Sequence, residues 1–205
     1  MKTIEVIVAT TNKAKIKEIK RIIGNNKLIK IINEYLKIKN IDTNEIETAR
    51  SFYKNALLKA RVFADAYGVV QNFEHLHIVS DDSGLCVSAL KGEPGINSSR
   101  YGGIKDDKER CQYLLKKLKN KKNRKAKFVC VLVLYNSRND KVYKFRGEVR
   151  GKIASEPRGK NGFGYDPIFV PDEGDGRTFA EMEPKEKDEL SHRARAIRKM
   201  LEFLS

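Results

Sequence analysis

Two adjacent aspartates, Asp81 and Asp82, follow a short apolar run that predicts a buried strand at residues 77–80. Two carboxylates held close together repel one another unless a cation neutralises them. Magnesium prefers carboxylate oxygens combined with substrate phosphates, so the pair at a strand end predicts a Mg²⁺ site. One aspartate would bind the metal, and the other would deprotonate a water that attacks phosphorus. A solvated turn is the alternative interpretation, and Glu45 and Glu47 are candidates for a further metal ligand.

A polar stretch near the N-terminus lies where a predicted strand is followed by a helix, and it comprises Thr10, Thr11, Asn12, Lys13, Ala14 and Lys15. A helix N-terminus offers N–H groups and a partial positive charge, which suit phosphate. The hydroxyls, the amide and Lys15 add further donors. The stretch lacks the glycine spacing of a Walker A sequence, so an ordinary turn capped by Asn12 remains the alternative.

A glycine-rich loop follows at residues 162–167, with the sequence Gly-Phe-Gly-Tyr-Asp-Pro. Glycines on either side of an aromatic residue let the backbone approach a flat ligand, so Phe163 or Tyr165 is predicted to stack on a base. Asp166 would accept from a ring N–H or fix the loop. A tight structural turn with aromatic residues in the core is the alternative.

Cationic side chains cluster near the start of the last predicted helix. Lys187 precedes Ser191, His192 and Arg193, and together these groups suit a carbonyl oxygen and phosphates. For Lys187 alone, a solvated lysine in a charged run is the alternative.

The whole chain of 205 residues carries 42 Lys and Arg against 27 Asp and Glu, a formal charge of +15 that indicates an anionic partner. Eight of those cations lie between Lys116 and Lys127 without an acid, the pattern of a solvated helix end and loop. A basic RNA- or DNA-binding module is the competing hypothesis. That run has no interleaved aromatic residues for base stacking, so we do not expect nucleic acid to be the partner.

The cysteine pattern and the apolar runs bound the setting of the protein. Cys86, Cys111 and Cys130 are odd in number and widely spaced, which argues against a disulfide framework or a zinc site. No apolar run approaches the roughly 20 residues that span a membrane, and no signal peptide opens the chain. We therefore expect a cytoplasmic protein without a membrane partner.

The order of predicted elements indicates a mixed α/β fold in one domain over residues 1–205. Strands are predicted at 3–9 and 128–135, and helices at 51–67 and 107–118. Gly24 is predicted to end the first helix, and Ser191 to cap the last one.

Taken in order, these motifs resemble those of the inosine triphosphate pyrophosphatase family. The likeness rests on TTNKAK, SDDSGL with GEPGINSSRYGG, NGFGYDPIF, and the SHRARA segment, and it runs from residue 7 to about 200. It implies a long, curved, mixed sheet flanked by helices, with a nucleotide cleft between two lobes, in a homodimer. It also implies hydrolysis of ITP, dITP and XTP to the monophosphate and pyrophosphate, with Mg²⁺ (or Mn²⁺ as a substitute) assisting water attack on the α-phosphorus.

The resemblance assigns a role to each candidate residue. It makes Asp82 the proton acceptor, Glu47, Asp81 and Asp82 the metal ligands, and residues 10–15 the triphosphate site. The substrate contacts it implies elsewhere are Ser83, Phe163, Gly164, Tyr165, Asp166, Lys187, His192 and Arg193.

Two features of this chain depart from the family pattern. Thr11 stands where the family has a glycine, and a β-branched residue would be strained there if the position needs a positive φ. The segment before the second helix is one residue shorter than in many relatives, which leaves the choice of the metal-binding glutamate open. The related Maf-like pyrophosphatases lack the GFGYDP loop and the SHR segment found here.

Overall fold

The computed structural model describes residues 3–24, 26–32, 41, 46–71 and 77–205. Within them lies one six-stranded sheet with the strand order β2-β1-β3-β4-β5-β6. The strands are β1 (Ile4–Val8), β2 (Ile29–Ile31), β3 (His77–Val87), β4 (Lys125–Asn136), β5 (Lys141–Ile153) and β6 (Phe169–Pro171). The helices are α1 (Lys13–Ile23), α2 (Phe52–Gln71), α3 (Asp107–Lys117), α4 (Pro184–Leu190) and α5 (His192–Leu204), with several 3₁₀ turns between them.

The sheet is mixed, as the element order predicts. β1 pairs in parallel with β2 and with β3, whereas β5 and β6 are antiparallel. A four-residue turn at 137–140 joins β4 to β5, and so short a link allows only an antiparallel hairpin. The predicted α/β class is therefore confirmed.

The chain divides into two compact units, each with its own core. Unit 1 comprises Met1–Asp82, Val131–Arg146 and Ala196–Ser205, and unit 2 comprises Ser83–Cys130 and Gly147–Arg195. None of the helices in the described part of the chain is long and apolar enough to cross a membrane. Cys86, Cys111 and Cys130 are all free thiols.

The core of unit 1 is built where α2 packs on the parallel strands. The helix predicted at 51–67 is confirmed, and its Ala56, Ala60 and Phe63 are buried against Ile7 and Ile78. Small alanines let the helix approach the sheet closely, and the β-branched strand residues fill the pleated surface. α2 is thereby fixed against the residues that precede the aspartate pair.

The first helix begins and ends as its sequence predicts. The Asn12 side chain accepts hydrogen bonds from the N–H groups of Ala14 and Lys15, at 2.9 and 3.1 Å. Gly24 ends the helix with a φ of 55°, which a residue with a side chain rarely adopts.

The prediction of a strand that ends before the aspartate pair is wrong. β3 runs without interruption from His77 to Val87, so Asp81 and Asp82 lie inside it. Four consecutive polar or small residues look like a turn in the sequence, yet cations from two helices contact the aspartates. The extended strand also suits Gly84, where a Cβ atom would lie 2.1 Å from the Gly95 carbonyl oxygen.

The core of unit 2 is aromatic. Phe128 of β4 makes an edge contact with Phe169 at 4.7 Å between ring centroids, and it stacks on Phe179 at 6.2 Å. β4 is buried along almost all of its length, as expected for a central strand covered on both faces. Ser191 accepts from the Ala194 N–H at 3.2 Å, which confirms it as the cap of α5.

Candidate active site

Successive side chains on a strand point to opposite faces of the sheet, and this alternation separates the two aspartates of β3. The even-numbered residues face α2, where the Ser80 hydroxyl donates to the Ala56 carbonyl and Asp82 Oδ2 accepts from Asn55 Nδ2 at 2.9 Å. Asp81 faces the other way, and its Oδ2 lies 3.3 Å from Lys15 Nζ at the start of α1. One strand thus presents a carboxylate to each of two helices.

A buried lysine of α2 lies beside this strand, and it was not among the predicted site residues. Lys59 of α2 has a side chain only 2% exposed, with Nζ 2.6 Å from Glu47 Oε1 and 2.7 Å from the Asp81 carbonyl oxygen. Burial alone would lower the pKa of Lys59, but the nearby carboxylates of Glu47, Asp81 and Asp82 raise it. The ammonium therefore stays charged and balances part of the negative charge.

The spacing of residues along α2 would have identified Lys59 from the sequence. Asn55 and Lys59 are four residues apart, and they fall on the same buried stripe as Ala56 and Phe63. A polar residue on an apolar stripe needs a partner or a role. Asn55 has both, because it donates to Asp82 while its Oδ1 accepts from the Ala49 N–H at 2.9 Å.

The environment of Asp82 favours its protonated form. Burial raises the pKa of this carboxyl to about 6, against the lowering effect of Lys59 and of the Asn55 hydrogen bond. A carboxylate whose pKa is raised toward neutrality is a stronger proton acceptor than one exposed to water.

The predicted metal ligands are close to one another in part. Lys59 contacts the Glu47 carboxylate and the backbone carbonyl of Asp81, whereas the Asp81 carboxylate faces Lys15. Glu45 lies outside the described residues. Among the residues described, no three or more His, Cys, Asp or Glu side chains are arranged to hold a metal ion. Mg²⁺ is usually held by one or two carboxylates plus phosphates and water, so buried carboxylate oxygens of this kind fit that metal chemically.

The loop before α1 combines a helix cap with exposed donors. Asn12 caps the helix, and its own N–H donates to the Thr10 hydroxyl at 3.2 Å. Thr11 and Lys13 are exposed. Within the described part of the chain, the residues other than glycine with positive φ are Lys91 and Asp140, so Thr11 is not strained. The missing glycine therefore leaves the backbone of this loop unperturbed.

In unit 2, the glycine-rich loop closes on itself around Asp166. The Oδ2 atom of Asp166 accepts from the Phe163 N–H at 2.9 Å and from Lys187 Nζ at 2.7 Å. Lys187 also lies 4.9 Å from the centroid of the Phe163 ring. Gly162 is required here, because a Cβ atom would lie 2.1 Å from Asp166 Oδ2. The predicted role of Asp166 in fixing the loop is observed.

The two aromatic residues of the loop have different surroundings. Tyr165 is 3% exposed, and its hydroxyl donates to the Ser98 carbonyl at 3.1 Å, so its ring belongs to the core. Phe163 is only half-buried, and the Arg193 guanidinium lies 5.8 Å from its ring centroid. The structure thus favours Phe163 as the residue that would stack on a base.

The start of α5 supplies the remaining predicted groups. Arg193 is 1% exposed and donates to the Ser83 hydroxyl at 2.7 Å. His192 stacks on Phe128 at 4.7 Å with the rings only 8° from parallel. The structure therefore brings Ser83, Phe163, Lys187 and Arg193 into one set of contacts within unit 2.

A known protein family combines these features: a mixed sheet, buried carboxylates and an aromatic loop flanked by cations. The family model described as the Ham1 family matches residues 6–203, and the chain belongs to this family. The resemblance inferred from the motifs is confirmed, and the Maf-like alternative is set aside.

Individual relatives support the same assignment. The dITP/XTP pyrophosphatase of Aquifex aeolicus is 41% identical over 210 aligned residues, which cover 98% of this chain and 96% of the relative. A HAM1 protein from Coxiella burnetii superposes with a TM-score of 0.82 at 38% identity, covering 98% of both chains. The Ham1 protein of Staphylococcus aureus gives 0.78 at 37% identity, over 98% of this chain and 97% of the other.

Proposed function

We propose that this protein hydrolyses dITP, ITP and XTP to the nucleoside monophosphate and pyrophosphate, removing damaged purine nucleotides from the pool. The observation that carries the proposal is the buried carboxylate pair of β3, held by Lys15, Asn55 and Lys59. The relative from Aquifex aeolicus is named a dITP/XTP pyrophosphatase, which supports the same chemistry.

In this proposal, unit 1 performs the phosphate chemistry. Asp82 accepts the proton of the attacking water, which its raised pKa favours. One or two of the carboxylates of Glu47, Asp81 and Asp82 would hold Mg²⁺ together with substrate phosphates, with Mn²⁺ as a substitute; the ion would polarise the phosphoryl oxygens and offset their charge. Lys13 and Lys15, with the Thr10, Thr11 and Asn12 polar groups, bind the triphosphate. Lys59 holds Glu47 and the Asp81 backbone in place.

Unit 2 recognises the base. Phe163 stacks on the purine, while Lys187 and Arg193 supply donors for a 6-oxo group. Donors placed for O6 find no acceptor in the 6-amino group of adenine, which disfavours ATP and dATP. Guanine also carries O6, so its exclusion depends on its 2-amino group.

The experiment is a panel of dITP, ITP, XTP, dGTP and dATP, assayed for pyrophosphate release with Mg²⁺, with Mn²⁺ and with a chelator. We expect rapid release from the first three substrates, slow release from the last two, and none in the chelator. Equal rates for dITP and dATP would contradict the proposal, and turnover in the chelator would contradict the metal.

We also propose that the chain is a homodimer, as the family resemblance implies. Phe203 is 52% exposed and packs on Tyr143 and Phe145, which leaves an aromatic surface in unit 1. Sedimentation analysis of the wild type and of Phe203→Ser tests this proposal. A wild-type protein that sediments as a monomer at micromolar concentration would refute it.

A further inference from the structure

Helix α3 makes two hydrogen bonds to the glycine-rich loop. Asp107 Oδ2 accepts from the Gly164 N–H at 2.6 Å, and Cys111 Sγ donates to the Gly164 carbonyl oxygen at 3.3 Å. The two residues are four positions apart, so they lie on one face of the helix. Both polar ends of the Gly164 residue are therefore held by the same helix face.

The carboxylate of Asp107 is itself fixed. Its Oδ1 pairs with the guanidinium of Arg110, whose side chain is 6% exposed. Arg110 in turn donates to the carbonyls of Ile104 and Lys105, both at 2.9 Å, just before the helix. Asp107 is 47% exposed, and a carboxylate at such a surface is normally solvated. Here both of its oxygens are committed to donors instead.

The position of Gly164 determines where the Phe163 ring lies. Asp166 binds the Phe163 N–H from inside the loop, and Asp107 binds the next N–H from outside. Gly164 has a φ of 63°, a conformation that allows these consecutive amides to point to different acceptors. Charge-assisted hydrogen bonds to carboxylates are roughly twice as strong as neutral ones, so two of them restrict the loop considerably.

We propose that Asp107 is a positioning residue for base recognition. By holding the Gly164 amide, it sets the orientation of the Phe163 ring on which the purine stacks; this step rests on the proposed function. Asp107 does not touch the substrate. Its removal loosens the stacking surface and leaves the carboxylates of unit 1 as they are, so it affects substrate affinity rather than the chemical step.

The experiment compares Asp107→Ala, Asp107→Asn and Asp106→Ala with dITP as substrate. In Asp107→Ala we expect KM to rise about tenfold with kcat changed less than about twofold, since one charge-assisted hydrogen bond is lost. Asp107→Asn should restore part of this KM, because its amide oxygen can accept from Gly164 although it cannot pair ionically with Arg110.

Asp106→Ala is the matched control at the neighbouring position. Asp106 caps the same helix by accepting from the Glu109 N–H at 2.9 Å, so its carboxylate serves the helix and not the Gly164 amide. Its replacement should lower Tm while leaving the KM for dITP unchanged. An Asp107→Ala protein with wild-type KM would overturn the proposal, as would an Asp106→Ala protein whose KM rises equally.

A readout that does not need turnover separates this inference from the function on which it rests. Amide hydrogen exchange at Gly164 should accelerate about tenfold in Asp107→Ala and stay unchanged in Asp106→Ala. Unaltered exchange at Gly164 in Asp107→Ala would refute the proposal that Asp107 restrains Gly164. If exchange accelerates in Asp107→Ala but the wild type releases no pyrophosphate from dITP, the proposed function is refuted while the restraint of Gly164 by Asp107 stands.

Discussion

The two units of this protein bury charge in different ways. In unit 1, Lys15 and Lys59 offset only part of the charge of Glu47, Asp81 and Asp82, and burial still raises the pKa of Asp82 to about 6. In unit 2, Lys187 and Asp166 pair at 2.7 Å, and the Lys187 ammonium lies beside the rings of Phe163 and Phe179. Three carboxylates lie near two lysines in the first cluster, whereas in the second one ammonium pairs directly with one carboxylate.

This difference indicates what each cluster does. An excess of buried carboxylate destabilises the protein by itself, and it is useful where a metal ion or a proton arrives during the reaction. A matched pair beside a flat ring offers geometry and donors without a change of charge. We therefore expect substitutions in unit 1 to lower kcat, and substitutions in unit 2 to change affinity, selectivity or stability.

The largest effect is expected for Asp82→Asn. Removing the general base should lower kcat by roughly 10³, equivalent to about 4 kcal/mol of transition-state stabilisation. The substitution should not destabilise the fold. The pKa of Asp82 is higher in the folded state than in the unfolded state, so ionisation of Asp82 lowers the free energy of unfolding as pH rises from about 4 to 6. Without metal at pH 8, we expect the variant to be at least as stable as the wild type.

The exposed Asp65 of α2 supplies the matched control, as Asp65→Asn in unit 1. That variant should retain wild-type kcat, KM and Tm. Full activity in Asp82→Asn would remove this residue from the chemistry.

A smaller effect, on stability, is expected for Lys187→Met. The substitution leaves the Asp166 carboxylate buried without its ammonium partner, which should lower the free energy of unfolding by about 3 kcal/mol. The double variant Lys187→Met/Asp166→Asn removes both charges and should recover most of that stability. Denaturant unfolding of the wild type, of Lys187→Met, of Asp166→Asn and of the double variant measures the coupling between the two residues.

Activity separates a structural role from a binding role in that series. If Lys187 recognises the base, the double variant should fold well and still discriminate poorly between dITP and dATP. Recovery of both stability and selectivity would show that the pair only holds the loop.

The smallest effect is expected for Phe163→Leu. Loss of one base-stacking surface should raise the KM for dITP about tenfold with little change in kcat. Tyr165→Phe is the comparison within the loop: it loses the hydrogen bond to Ser98 and should lower stability by about 1 kcal/mol without affecting KM. If Tyr165→Phe raised KM and Phe163→Leu lowered only stability, Tyr165 would be the stacking residue and Phe163 the structural one.

The sequence predicted much of this architecture because local signals agree with long-range packing. Asn12 and Gly24 mark the ends of α1, and the apolar run of β4 indicates a central strand. The aspartate pair was wrongly predicted to follow the end of a strand, because it lies inside β3. Its extended conformation depends on contacts with α1 and α2, which no local pattern reveals.

The residues that the sequence did not single out are those whose role depends on distant partners. Lys59 looks like one of many lysines until α2 packs on β3 and buries it. Asp107 looks like a helix-start acid, since acids are favoured there by the helix dipole. Only the tertiary structure shows that it contacts Gly164, 57 positions along the chain.

The alternation of β3 has a consequence for how this chain can change in length. Ser80 and Asp82 contact α2 while Asp81 contacts α1, so deleting one residue between Ile78 and Asp81 would exchange the partners of both aspartates. Deleting Val79, for example, removes no polar group, yet it would turn each aspartate toward the wrong helix. The turn at 137–140 is under no comparable constraint. Among homologues, insertions and deletions should therefore be absent from the middle of β3 and frequent in that turn.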